Sequence, residues 1–67
     1  MKDFLGQDIS VGDIVIFSRN NRLYRGKVVG FDNFWDCNIV IVEHIYNDFK
    51  TIYEILSNNL IVENIKT

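Results

Sequence analysis

Short runs of β-branched and aromatic residues, punctuated by pairs of Gly, Asn and Asp, recur through the chain and leave no room for an amphipathic helix. That pattern is the signature of strands joined by tight turns. Gly12-Asp13 is a tight turn whose aspartate bonds its own backbone, and it leads into a first strand at 14–19. Asn20-Asn21 tolerates positive φ and predicts a short hairpin loop before a second strand at 22–31. Gly26 and Gly30 lie within that strand, where glycine marks a bend, a bulge or a close backbone approach. A polar and aromatic loop is predicted at 32–36, a third strand from 37 to about 45, and a turn at 46–49. A fourth strand at 50–56, one helical turn at 57–59 and a last strand at 60–65 complete the reading. Five strands without repeats or linkers form a single domain over 1–67, a meander that must curl to hide its edges.

At 67 residues such a domain is small. Its core supplies only about 3–5 kcal/mol of net stability, so outside support is common. Cys37 is the only cysteine, which excludes an internal disulfide. Cys37 and His44 are too few for a closed zinc site, so no metal and no cofactor is expected. Self-association is the remaining support. Ile39-Val40-Ile41-Val42, as long as any purely apolar stretch in the chain, is far below the ~20 residues of a membrane helix. No signal-peptide pattern is visible at the N-terminus, and a cytoplasmic protein with no membrane partner is expected. The chain lacks alanine and proline and is rich in isoleucine and asparagine, a drift toward AT-rich codons found in some bacteria and many of their phages.

Catalytic groups are hard to assemble. His44 stands alone, with no nucleophile at an interpretable spacing. Cys37 follows Asp36, whereas a reactive thiol needs nearby positive charge, so it reads as a small buried hydrophobe. Asp32 and Asp36 bracket Phe34-Trp35 and read as solvated turn formers. The four glycines are scattered and build no phosphate cradle. The expectation is a protein without catalytic residues.

Binding is better supported. The net charge is −2, yet Arg19, Arg22, Arg25 and Lys27 fall in one segment, with no acid between Asp13 and Asp32. With Tyr24, Gly26 and Val28 inward on the second strand, Arg25 and Lys27 point outward and Arg22 flanks the turn. Such a basic hairpin suits phosphates or an acidic protein surface; charge that merely protects an edge is the bland alternative. Phe34 and Trp35 cap the barrel mouth or serve as stacking platforms and interface anchors. In the third strand neither face of Ile39-Val40-Ile41-Val42 is polar, and Leu23 and Val29 are also outward. Leu23, Val29, Val40 and Val42 are therefore expected to form an interface with another copy or a partner.

The run Leu5-Gly6-Gln7-Asp8-Ile9-Ser10-Val11-Gly12-Asp13-Ile14-Val15-Ile16-Phe17 resembles the opening of small Src-homology-3-like barrels, in which a Gly-Asp turn precedes a Val-x-Phe strand. Tyr24-Arg25-Gly26-Lys27-Val28-Val29-Gly30 is similar to the second strand of KOW and Tudor-type modules, and Ser57-Asn58-Asn59 before Leu60-Ile61-Val62 fits the turn into such a barrel's last strand. The opening also looks like that of short uncharacterised phage proteins. The resemblance implies an all-β, five-stranded SH3-like partly open barrel. The ligand cage of Tudor modules, a cluster of several aromatics, is not evident in the residues. Taken together, these features lead us to expect a phage-type accessory module that binds and modulates a host protein through Arg22, Arg25 and Lys27, with Phe34 and Trp35 nearby. A KOW-like nucleic-acid or transcription-complex binder is the alternative, with Tyr24 or Trp35 stacking on bases, and an oligomer holding a small anionic ligand is a third.

Overall fold

The computed structural model describes residues 1–63 and is all-β, with five antiparallel strands in one open sheet. The strands are β1 Ile14–Arg19, β2 Arg22–Phe34, β3 Cys37–Tyr46, β4 Phe49–Leu56 and β5 Leu60–Val62, with one 3-10 turn at Ser57–Asn59 before β5. Their order across the sheet is β4-β3-β2-β1-β5. The first strand and the helical turn fall where the residues predict them. The expected last strand at 60–65 is seen as Leu60–Val62, and its positions 64 and 65 lie outside the described residues.

Three two-residue turns set the hairpins. Asn20 and Asn21 (φ 53° and 61°), Trp35 and Asp36 (52° and 59°), and Asn47 and Asp48 (49° and 66°) are all left-handed. Turns of this kind match the right-handed twist of the strands they join. Asn and Asp enter the left-handed region at modest cost, but tryptophan does not. The predicted loop at 32–36 is therefore shorter than expected: β2 runs on to Phe34, and Trp35 takes a backbone position suited to Asn or Gly. Trp35→Asn is expected to raise stability by about 1 kcal/mol, read as a higher denaturation midpoint at unchanged slope.

The register of β2 against β3 shifts between Val28 and Gly30, which leaves Val29 as the extra residue of a bulge. The bulge bends β2, so its first half pairs with β1 and its second half with β3. Around that bend the inner faces of all five strands close on Val15, Phe17, Val28, Val40, Val42, Ile55, Leu60 and Val62, with Ile9 from the N-terminal segment. Val40 and Val42, expected at an interface, are 0% exposed and belong to this core. The reason is register, because Val42 lies opposite Val28 and so shares its inward face. Leu23 and Val29 do lie exposed on the outside. On β3 the outward positions are Ile39 and Ile41, both half-buried.

The N-terminal segment is stitched over β5. Phe4 N–H donates to the Leu60 carbonyl at 2.9 Å, and the buried Asp3 carboxylate accepts from Val62 N–H at 2.8 Å. The Gly12-Asp13 turn closes as expected, with Ser10 N–H donating to the Asp13 carboxylate at 2.9 Å. It is then tied to the bulged strand by Gly12 N–H to the Val28 carbonyl and Val28 N–H to the Asp13 carbonyl, at 2.8 and 2.9 Å.

Candidate ligand-binding groove

Period-two alternation places Arg22 and Tyr24 of β2, His44 and Tyr46 of β3, and Phe49, Thr51 and Tyr53 of β4 on the inner face, at the end of the sheet away from the aliphatic core. Together they line an open groove of about 370 Å³. Its floor is packed from below by Phe17, 2% exposed. The Phe17 ring stacks on Tyr24 at 5.7 Å and lies 5.3 Å from Tyr53. Tyr24 and Tyr53 are 5.8 Å apart, and His44 meets Tyr24 edge-on at 5.2 Å. Aromatic pairs at these separations stabilise one another beyond simple burial.

The His44 ring is oriented by the backbone: its Nδ1 lies 2.8 Å from the Arg25 carbonyl. A carbonyl only accepts, so Nδ1 carries the proton in that bond. Arg19 and Arg22 stand directly opposite each other beside the Asn20-Asn21 turn. The Arg19 guanidinium sits 5.3 Å from the centre of the Tyr53 ring, a cation–π contact. Among the described residues no carboxylate pairs with either arginine.

The four expected basic residues are thus divided between two faces. Arg19 and Arg22 belong to the groove. Arg25 is outside, paired with Glu63 (Nε to Oε2, 2.7 Å), and Lys27 is outside with Glu43 opposite it in register. Phe34 and Trp35, expected near Arg22, instead stand at the far end of the 13-residue β2. There they meet edge to face at 5.8 Å and are 64% and 83% exposed. Cys37 is exposed rather than buried, at the mouth of the same hairpin. A second hollow, of about 400 Å³, lies between Phe4, Leu23, Asn58, Asn59 and Ile61 and carries no charged side chain.

A cluster of rings that the residues did not make evident is therefore present, built by Phe17, Tyr24, His44 and Tyr53, with Tyr46 and Phe49 lining the groove beside it. Its signal was the spacing His44-x-Tyr46 and Phe49-x-Thr51-x-Tyr53 on either side of Asn47-Asp48. A two-residue turn pairs Tyr46 with Phe49 and His44 with Thr51, which puts both sets on one face.

A family model described as Domain of unknown function (DUF7205) matches residues 1–59. The chain belongs to that family. The matched span takes in every residue of the groove and the Asp3 anchor, while β5 lies beyond it. No curated protein and no solved structure matches the chain. No helix among the described residues is long and apolar enough to cross a membrane.

Proposed function

We propose that this member of the family is a non-catalytic binding module whose inner-face groove takes single-stranded nucleic acid. The observation that carries this reading is the Arg19–Arg22 cross-strand pair beside the Tyr24–Tyr53 platform. Like charges directly opposite on two strands destabilise a hairpin. An anionic ligand turns that cost into affinity, and rings set next to it offer bases a stacking surface. The acidic total charge is no obstacle, because the outer-face cations Arg25 and Lys50 are paired with Glu63 and Glu43, while Arg19 and Arg22 have no carboxylate partner among the described residues. The strand order and the 3-10 turn before β5 also favour an SH3-like barrel, in keeping with the resemblance of the opening residues.

Fluorescence anisotropy with short single- and double-stranded DNA and RNA across a salt series tests the reading. Binding is expected to prefer single strands and to weaken as salt rises. Arg19→Ala/Arg22→Ala is expected to lower affinity at least tenfold and to flatten the salt dependence by roughly 0.7 per lost phosphate contact. Tyr53→Ala costs on the order of tenfold through lost stacking. Lys27→Ala on the outer face leaves affinity within about twofold. No binding at low salt ends the reading.

The exposed Phe34-Trp35 tip favours a second one, a protein partner of the kind a phage-type accessory factor would bind in its host. Two large aromatics at a hairpin tip, one held in a costly backbone conformation, have the character of interface anchors. Phe34→Ala/Trp35→Ala then abolishes capture of a host protein and leaves oligonucleotide binding untouched.

A further inference from the structure

The two edges of the sheet are treated differently. The β5 edge is three residues long and guarded by the N-terminal segment, through Phe4 N–H to Leu60 and Asp3 to Val62. The β4 edge is eight residues long, pairs with β3 in unbroken register from Tyr46↔Phe49 to Ile39↔Leu56, and among the described residues has no strand paired on its other side. Edges of this length are normally blunted by proline, by a bulge or by repeated like charges. Phe49–Leu56 has none of these, and its only charges are Lys50 and Glu54, of opposite sign and equidistant from Ile52.

We infer that β4 pairs antiparallel with β4 of a second copy about a two-fold axis at Ile52, joining two five-stranded sheets into one of ten strands. Side-chain parity and charge select this register. A shift of one residue would bring outward side chains opposite inward ones, breaking the face on which Ile55 is buried. Among registers that keep parity, centring on Thr51 sets Lys50 against isoleucine, and centring on Tyr53 sets it against leucine. Centring on Ile52 alone places Lys50 opposite the partner subunit's Glu54, twice, with Ile52 against the partner subunit's Ile52 between them. Ile52 is 51% exposed and is covered by this pairing. On the inner face Thr51 then lies opposite the partner subunit's Tyr53, so the two aromatic grooves meet along the joint and form one extended surface. A second copy suits this edge better than a foreign strand because its charge pattern is complementary to itself.

Sedimentation velocity on the full chain from about 1 to 100 μM tests the inference without any ligand, so its outcome is separate from that of the groove. The expected result is a reversible dimer of twice 7.9 kDa. Glu54→Lys sets lysine against lysine at two places and is expected to weaken the dimer at least tenfold. Lys50→Glu weakens it likewise, and Lys50→Glu/Glu54→Lys restores it to within about threefold. The outer-face contact of Lys50 with Glu43 at 3.7 Å needs its own control, because Glu43 lies opposite Ile52 and a lysine at position 54 could take that contact over. Glu43→Gln removes it while keeping the 50–54 pair, and is expected to leave the dimer within about threefold. Circular dichroism and the melting temperature verify that each variant is folded. A monomer throughout, or a dimer indifferent to the single changes at 50 and 54 or not recovered by the double, overturns the inference.

Discussion

Asp3→Ala is expected to destabilise the protein by about 3 kcal/mol and to leave a large part of it unfolded at room temperature. Asp3 is the buried acid of the core, 4% exposed, and each of its oxygens has two donors. Oδ1 accepts from the backbone N–H of Leu5 and of Gln7 at 2.9 and 2.8 Å. Oδ2 accepts from Val62 N–H at 2.8 Å and from the Gln7 side-chain amide at 3.3 Å. Removing the carboxylate strands these donors, and stranding a buried donor costs more than the bond itself is worth. Asp3→Asn separates charge from shape. Its oxygen can still serve Leu5 and Gln7, but its NH2 then faces Val62 N–H, donor against donor. A loss of about 2 kcal/mol is expected for that variant. Hydrogen exchange at Val62 should quicken first, because its anchor is the one removed.

The same site predicts a pH dependence of known sign. Burial opposes ionisation of Asp3, but the N–H donors of Val62, Gln7 and Leu5 outweigh it and hold the carboxyl below its ordinary value of 3.8. A carboxylate with a depressed folded-state pKa stabilises fully above its unfolded value, and that stability is lost as pH falls through the folded pKa. The stability gap between the wild-type chain and Asp3→Asn is thus expected to be flat from pH 7 to about 5 and to narrow below about pH 4. Urea titrations at several pH values measure it. A gap that widens toward acid would show that the charge on Asp3 is not what holds β5.

How much of this was legible beforehand follows from how local each cause is. Asn20-Asn21 and Asn47-Asp48 announced their turns because Asn and Asp tolerate the left-handed region. Trp35-Asp36 did not, because tryptophan is a poor turn residue and the neighbouring Asp32-Asn33 offered a more ordinary turn signal. The inward set Tyr24, Gly26 and Val28 was correct, yet Val40 and Val42 were misplaced. Which face of β3 meets Val28 depends on cross-strand register and on the bulge at Val29, and neither is a property of a single strand. The groove was hidden for the same reason. Its aromatics are spread over three strands and meet only once two turns have fixed the register, so they read separately as core or loop residues. Arg19 and Arg22 were visible as charge, but not as a pair divided from Arg25 and Lys27. The role of Asp3 left no local trace, because its partner Val62 is 59 residues away.

Gly26→Ala is expected to cost about 2 kcal/mol and to weaken the groove, whereas Gly30→Ala in the same strand is expected to raise stability by about 0.5 kcal/mol. Both glycines interrupt β2, and sequence alone gives no reason to rank them. Their surroundings do. A Cβ at Gly26 would lie 2.4 Å from a methyl of Val42 and 2.8 Å from the Glu43 carbonyl oxygen, while one at Gly30 meets only the end of Ile41 at 3.6 Å, an ordinary contact. Val42 has no room to retreat, being fully buried and held in register between Val28 and Tyr53. Overpacking of this kind costs about 1–3 kcal/mol, more than the 0.5–1 kcal/mol that replacing glycine in a strand returns. The sheet must therefore open between β2 and β3, where His44 Nδ1 donates to the Arg25 carbonyl. His44 then loses its orientation beside Tyr24, so oligonucleotide affinity measured on the folded fraction should fall together with stability. Equal tolerance of alanine at both positions would mean that β2 and β3 do not approach closely at Gly26, and with that approach would go the fixed edge of the His44 ring against Tyr24.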